Sequence, residues 1–395
     1  MDIRGITERV LYVGVNDRVT DRFEGLWPLP YGVSYNSYIV KGDEKIALID
    51  TVASSTSIEY IEKIRRTTGE RSIDYLVINH MEPDHSGSIP AIAAAYPDIK
   101  LVGNRQTAAM VKGYYGIGEE RFMIISDGDR IELGGATLRF AMTPMVHWPE
   151  TMMTYLEEEK VLFAGDAFGC FGALNGGIVD ETMDCTVYFE EMYRYYSNIV
   201  GKYGKFVQKA FQKLAGTEMD YICSTHGPVW HAEISRVVGI YDRLSKYEGE
   251  DGVTIIYGSM YGNTEVIAEA IARRLNERGI RKIRIHNASK SPMSDMINDA
   301  YRYKGLIVGA PTYSMRIFPP VEQFMNAMET REIKNKTMAF FGSFCWASAT
   351  LGKLKEYGER MGHEIIDCID MQHSATEATI ERAYELADKV IDGLK

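Results

Sequence analysis

The sequence predicts two tandem domains, an α+β sandwich followed by an α/β unit built on an open, doubly wound parallel sheet of five strands. Three observations carry this. The chain has 395 residues, more than one ordinary domain holds. Residues 1–250 show short apolar runs broken by Gly, Asp and Asn, with helical segments between only some of them. From residue 253 onward, strand-like and helix-like segments alternate, five of each, which is the pattern of a parallel sheet with crossover helices.

Each element has its own reason. In the first region RVLYVGV (9–15), SYIVKG (37–42), KIALIDT (45–51), YLVINH (75–80), TLRFAMT (137–143) and VLFAGD (161–166) are strand-like, because β-branched and aromatic residues dominate them. SIEYIEKIRR (57–66), RQTAAMVKGYY (105–115) and the tyrosine-rich stretch 188–214 have helical spacing. KYEGEDG (246–252) is short, charged and Gly-containing, the composition of a linker, and the boundary is drawn there, giving domains 1–249 and 250–395. In the second region the strands are VTIIYG (253–258), KIRIHN (282–287), GLIVGA (305–310), TMAFFGS (337–343) and EIIDCI (364–369). The helices are TEVIAEAIARRLNERG (264–279), which ends on a Gly stop, SDMINDAYR (294–302), PVEQFMNAMET (320–330), LGKLKEYGERM (351–361) and EATIERAYELADKVIDGL (377–394).

Composition narrows the function classes. Hydrophobic residues make up 45% and charged residues 25%, the balance of a soluble chain with a sizeable core. The formal net charge is −11, and all of that excess lies in residues 1–250, since residues 251–395 carry 19 residues of each sign. This argues against a nucleic-acid binder or a protein held on an anionic membrane surface. The cysteines are Cys170, Cys185, Cys223, Cys345 and Cys368; their odd number and the lack of a C-x-x-C pair argue against a disulfide framework, a Cys-ligated zinc or an iron–sulfur site. The start, MDIRGITERV, has no apolar signal-peptide core, and no apolar run approaches the ~18 residues of a membrane helix. A reduced, cytoplasmic protein is expected.

The chemistry-bearing segment is His80-Met81-Glu82-Pro83-Asp84-His85, which places four metal-ligand types within six residues of a strand end. His147, Asp166 and His226 each follow another strand-like run, so ligands from distant sequence can meet at one rim of a sandwich. A single His or Asp at a strand end is usually a cap or a satisfied loop residue. Such residues after successive strands are much harder to attribute to capping. Imidazole suits several first-row metals, and the added carboxylates favour a harder, redox-active ion such as iron.

The H-x-[E/H]-x-D-H segment, followed by His, Asp and His at these strand ends, resembles the αββα sandwich of the metallo-β-lactamase fold. Hydrolytic members carry His where this chain has Glu82. Glutamate there resembles the flavodiiron proteins, which also carry a C-terminal flavodoxin-like domain, and the resemblance covers essentially the whole chain in that domain order. It implies that His80, Glu82 and His147 bind one non-haem iron, that Asp84, His85 and His226 bind a second, and that Asp166 bridges them. Trp148, in the H-W-P segment after His147, would wall the iron pocket. Tyr195 and Tyr196 lie in a helical stretch that by resemblance passes near the irons, where one could donate a hydrogen bond to bound gas; core packing is the competing role for each. His231 is expected beside the metal ligands or on the surface.

The resemblance also implies an FMN site. The loop Ser259, Met260, Tyr261, Gly262, Asn263 and Thr264 joins the first strand of the second region to its first helix, and free N–H groups at a helix N-terminus suit a phosphate. An ordinary capped turn is the plain alternative. Pro311, Thr312, Tyr313 and Ser314, leading through Arg316, and Gly342, Ser343, Phe344, Cys345, Trp346 and Ala347 fall at later strand ends and resemble the family's isoalloxazine-binding loops. Many members have Gly where this chain has Cys345, and cysteine restricts the backbone more than glycine.

The implied activity is that of an oxidoreductase in which FMN passes electrons to a diiron centre that reduces O2 to water, NO to N2O, or both. In this family the two sites of one chain lie far apart, which implies a head-to-tail homodimer, possibly arranged as a tetramer. With no C-x-x-C pair in the sequence, the electron donor is expected to be separate, either rubredoxin or a reduced deazaflavin coenzyme. Two other readings are a zinc-dependent hydrolase with a fused flavodoxin domain, against which Glu82 argues, and an electron carrier with a vestigial metal site.

Overall fold

The computed structural model describes residues 4–69 and 71–394; the first three residues of MDIRGITERV lie outside them. The chain divides into two compact units, the first running to Tyr196 and including Lys205–Asp242, the second made of Ser197–Gly204 and the chain from Arg243 onward.

The first unit is a two-sheet sandwich. One sheet has seven strands in the order Arg4–Gly5, Val10–Tyr12, Tyr38–Lys41, Ile46–Ile49, Tyr75–Val77, Lys100–Gly103 and Phe122–Ile124, the last four parallel. The other has five, in the order Arg130–Glu132, Thr137–Met142, Met152–Leu156, Val161–Gly165 and Tyr221–Ser224, antiparallel except for the last pair. The sheets meet face to face. The Tyr38 ring lies 5.4 Å from that of Phe163, and the Tyr38 hydroxyl donates to the Ser224 carbonyl across the layer. Val40, Leu48, Leu76, Leu138, Leu162 and Ile222 are fully buried, and removing their apolar surface from water supplies the main stabilisation. Outside the sheets lie helices such as Ser57–Thr68 and Arg105–Tyr115. Asn104 starts the latter by accepting from the N–H groups of Gln106 and Thr107.

Several expectations change here. The strand expected over 9–15 breaks at Val13-Gly14, because Gly14 is pressed against the backbone of Tyr35 and Asn36 and the chain turns to pair Val15–Asp17 with Val33–Tyr35. The tyrosine-rich stretch is not one helix. It runs as Thr186–Tyr195, a π turn over Tyr196–Val200, a 3-10 turn over Gly201–Tyr203 and a second helix, Gly204–Leu214. The strands Lys100–Gly103, Phe122–Ile124, Arg130–Glu132 and Met152–Leu156 and the helix Ile234–Ser245 had no place in the sequence reading.

The second unit has five parallel strands in the order Ile283–Asn287, Glu250–Tyr257, Tyr303–Tyr313, Thr337–Phe344 and Glu364–Gln372, with the two-residue strand Arg316–Ile317 added antiparallel to the end of the third. In chain order this is 2-1-3-4-5, the doubly wound arrangement whose ligands bind beyond the strands' carboxyl ends. On one face Ile255, Ile307 and Phe341 pack with Ile271, Leu275, Leu386 and Val390 of the helices Asn263–Glu277 and Glu377–Gly393. Residues 250–252, expected as linker, extend the first strand. Glu250 pairs with Tyr303 in the ladder and takes ion pairs from Lys282 at 2.7 Å and Arg302 at 3.1 Å.

Candidate functional site

The strand Tyr75–Val77 ends just before His80, Val161–Gly165 ends at Asp166, and Tyr221–Ser224 ends just before His226. His147 follows the strand Thr137–Met142, which runs in the same direction as Val161–Gly165 because each is antiparallel to Met152–Leu156. The short helix Pro83–Ser86, with proline in its first turn, turns Asp84 and His85 toward the same rim. Gly227 has φ +78°, and a Cβ there would stand 2.3 Å from Cys170 Sγ, so glycine is needed directly after His226.

Seven side chains converge there in two groups. His80, Glu82, His147 and Asp166 form one, and Asp84, His85 and His226 the other; within each, the ligand atoms all lie within 4.8 Å of one another. Asp166 faces both. Its Oδ2 lies 3.1 Å from His147 Nε2 and 3.5 Å from His80 Nε2, while its Oδ1 lies 2.9 Å from His85 Nε2 and 3.9 Å from His226 Nε2. Glu82 Oε2 stands 3.1 Å from His147 Nε2 and 3.3 Å from His80 Nε2. Asp84 Oδ2 stands 3.1 Å from His85 Nε2 and 3.3 Å from His226 Nε2.

These approaches fit a cation pair. Both Asp84 carboxylate oxygens and the Nε2 atoms of His85 and His226 are buried without a hydrogen-bond partner, a costly state that a bound metal resolves. Electrostatics agree. Burial by itself would raise Asp166, but the charges of His85 and His80 hold it well below the usual carboxylate range. Burial likewise opposes charge on His85, yet Asp84 and Asp166 raise it to about 9. On His147 burial is outweighed by hydrogen bonding to Asp166 and Glu82, again to about 9. The carboxylates thus attract positive charge that protons supply when metal is absent.

Supporting groups orient the ligands. His80 donates from Nδ1 to Glu150 Oε1 at 2.9 Å, leaving Nε2 toward the site. His226 donates from Nδ1 to the Ser34 carbonyl at 2.7 Å. Thr225 donates through its hydroxyl to Asp166 Oδ1. Asp50 accepts from the Asn79 backbone N–H at 2.7 Å and from its side chain at 2.9 Å, fastening the residue before His80. Trp148 stands edge-on to His80, with ring centres 5.3 Å apart. The tyrosines separate: Tyr195 lies 5.5 Å from the His226 ring and its buried hydroxyl has no hydrogen-bond partner, whereas Tyr196 packs edge-on against Tyr241 at 4.9 Å. His231 is outside both ligand groups; it stacks on Tyr221 and donates to the Asp220 carbonyl. Glu150, Ser34, Asp50 and Asn79 escaped the sequence reading. So did Glu24, which accepts from Trp27 Nε1 at 2.8 Å and is pushed up first by burial and then by the charge of Glu82.

A second site lies in the second unit, in an open cavity of about 720 Å³ beyond the strands' carboxyl ends. One wall is Ser259, Met260, Tyr261, Asn263 and Thr264, another Pro311, Thr312, Tyr313 and Ser314, a third Ser343, Phe344, Cys345, Trp346 and Ala347. Gly262 is not in the lining; with φ +91° it caps the fifteen-residue helix Asn263–Glu277. Gly342 is also outside it, within the strand Thr337–Phe344. Met315, His373 and Ser374 line the cavity without having been anticipated. His373 follows the last strand, and its N–H donates to the Phe344 carbonyl, which brings a fourth loop to the rim. Arg316 pairs with Glu322 at 2.7 Å. Thr264 and Ser343 hydroxyls bond at 2.8 Å, tying the helix start to the third loop. A helix N-terminus lined by hydroxyls, beside exposed Tyr313 and Trp346, suits a ligand with a phosphate and a flat ring system.

Residues 33–227 match the family described as ODP family beta lactamase, and residues 255–385 match the flavodoxin family. The chain is 32% identical over 365 residues to the anaerobic nitric oxide reductase flavorubredoxin of Escherichia coli, covering 91% of this chain and 76% of that protein. The rubredoxin oxygen:oxidoreductase of Desulfovibrio gigas superposes with a TM-score of 0.94 at 27% identity, covering 100% of this chain and 98% of that one. A flavodiiron protein from Giardia intestinalis gives 0.94 at 25% identity, with the same coverage.

Proposed function

Because the chain belongs to the flavodiiron protein family, we propose that it is an oxidoreductase that reduces O2 to water, NO to N2O, or both, at a non-haem diiron centre supplied with electrons through FMN. The observation that carries this reading is Asp166, whose two carboxylate oxygens each face a separate set of buried ligands. It supports assigning His80, Glu82 and His147 to one iron, Asp84, His85 and His226 to the other, and Asp166 to both. Paired irons supply gas binding and one-electron chemistry, and FMN supplies a two-electron reservoir.

The chain's own residues do the rest. Three acidic ligands offset much of the metals' charge. Glu150 and the Ser34 carbonyl hold two imidazoles with Nε2 inward. Tyr195 keeps an unpartnered hydroxyl beside His226 and is the residue to donate a hydrogen bond to bound gas. Trp148 walls the His80 side. In the second unit, the start of helix Asn263–Glu277 would hold the FMN phosphate, and the loops bearing Tyr313 and Trp346 would hold its ring system.

The electron donor in this reading is either rubredoxin or a reduced deazaflavin coenzyme. The exposed Met260, Tyr261, Tyr313, Met315 and Trp346 around the cavity support a face that is covered in a head-to-tail dimer. No helix among the described residues is long and apolar enough to cross a membrane, and a cytoplasmic location is proposed. The domain boundary at 249/250 is likewise proposed, supported by family matches that end at 227 and resume at 255.

The test is anaerobic turnover of the iron- and FMN-loaded protein with one artificial donor, giving O2 or NO in separate runs. Consumption of at least one gas, lost when iron is removed, is expected. Inert gases together with a zinc-loaded site that hydrolyses thioesters or lactams would replace this reading with a hydrolase.

A further inference from the structure

The imidazoles of the two metal groups are backed unequally. Behind His80 stands a full carboxylate: Glu150 is 0% exposed, and its Oε1 accepts from both His80 Nδ1 and the Met81 N–H at 2.9 Å. Its Oε2 is buried without a hydrogen-bond partner, so nothing on that oxygen disperses the charge. The Asn104 side chain donates to the Glu150 backbone carbonyl at 2.7 Å and holds the residue in place. In the other group, His226 is backed by the neutral Ser34 carbonyl, and His85 Nδ1 is buried with no partner at all. A carboxylate behind a ligating imidazole makes it a stronger donor, and a buried negative charge near one metal favours its higher oxidation state.

We infer that Glu150 is a positioning residue that makes the two metal positions electronically unequal, giving the iron held by His80, Glu82 and His147 a lower reduction potential than the iron held by Asp84, His85 and His226. The inference rests on the diiron reading above. Loss of one electron from the fully reduced pair therefore leaves the ferric charge on the His80 side and ferrous iron on the His226 side. Glu150 needs no contact with substrate to do this; it acts through His80.

The test is a potentiometric titration of the iron-loaded wild-type protein and of Glu150→Gln, with ferricyanide as the one-electron oxidant and electron paramagnetic resonance following the half-oxidised state. The amide oxygen of Gln can still accept from His80, so the substitution removes charge while keeping the hydrogen bond. If the His80 side is the lower-potential one, losing the charge raises that potential and narrows the gap. A fall of about tenfold in the comproportionation constant is expected, equal to about 59 mV for one electron. A widened gap would put the lower potential on the His226 side, and an unchanged gap would deny Glu150 any role; either overturns the inference. Absence of iron-based redox waves in the wild type would overturn the diiron reading itself. Should Glu150→Gln not fold, Mössbauer spectra of the half-oxidised wild type decide, since localised ferric and ferrous sites are expected and an averaged valence contradicts them.

Discussion

The two units treat buried charge in opposite ways. At the metal centre His80, Glu82, His85, His147, Glu150, Asp166 and His226 are all more than nine-tenths buried, and each belongs to a pairing of a histidine with a carboxylate at close range. The residues that wall the cavity of the second unit include no Asp, Glu, Lys or Arg, and Tyr261 is 89% and Trp346 87% exposed. That unit's buried cation, Lys336, is not in the cavity lining; it donates to the carbonyls of Tyr301 and Tyr303 at 2.7 Å each. A metal site thus depends on charge concentrated in the interior, whereas the flavin cavity depends on loop shape, a helix end and aromatic surface.

Breaking the shared ligand gives the largest expected effect. Asp166→Ala removes the one carboxylate common to both groups, and iron affinity is expected to fall by more than about 100-fold, beyond the loss typical of a supporting group. Metal analysis after gel filtration checks this, and full iron retention would deny Asp166 its joining role. Next comes Tyr195→Phe, which deletes a single hydroxyl; a loss of about five- to tenfold in gas-reduction rate is expected, with FMN reduction by the donor unchanged. Stopped-flow measurement of the two steps separates them, and equal rates in variant and wild type would return Tyr195 to packing. On the other side of the comparison, Trp346→Ala is expected to weaken FMN binding by about two- to tenfold, the worth of one aromatic contact, with iron content untouched. Fluorescence titration with FMN reads it.

In the second unit a pH effect on stability is expected from Lys336. Burial lowers Lys336 to about 7 from its ordinary 10.5. A base whose folded pKa lies below its unfolded value binds fewer protons when folded, so stability rises with pH between about 7 and the ordinary lysine value. Wild-type Tm should therefore gain on that of Lys336→Met as pH is raised through this window. A difference independent of pH would mean that Lys336 stays charged against its two carbonyls.

Legibility followed sequence distance. His80, Glu82, Asp84 and His85 stand within six residues of a strand end, so a local pattern displayed them. His147, Asp166 and His226 showed as outliers after strand-like runs. Glu150 was hidden because its meaning lies in a contact with His80, 70 residues away, and the Ser34 contribution is a backbone carbonyl that no residue type announces. Glu24 sits on the hairpin of Arg22–Phe23 with Trp27–Pro28, too short to be read from periodicity. In the second unit the alternation of strands and helices exposed the sheet. His373 was missed because its place at the cavity comes from a backbone hydrogen bond to Phe344 on the neighbouring strand, a contact that no residue type announces. The strand Met152–Leu156 escaped for another reason: it is buried on both faces and lacks polar alternation.

In the proposed diiron centre Asp166 joins two irons into one unit. Mössbauer spectroscopy of protein loaded with isotopically enriched iron and fully oxidised tests it most directly. A pair of ferric ions per chain, magnetically coupled and therefore silent in electron paramagnetic resonance, is expected. Magnetically isolated ferric ions, or a site that takes zinc and excludes iron, would contradict it.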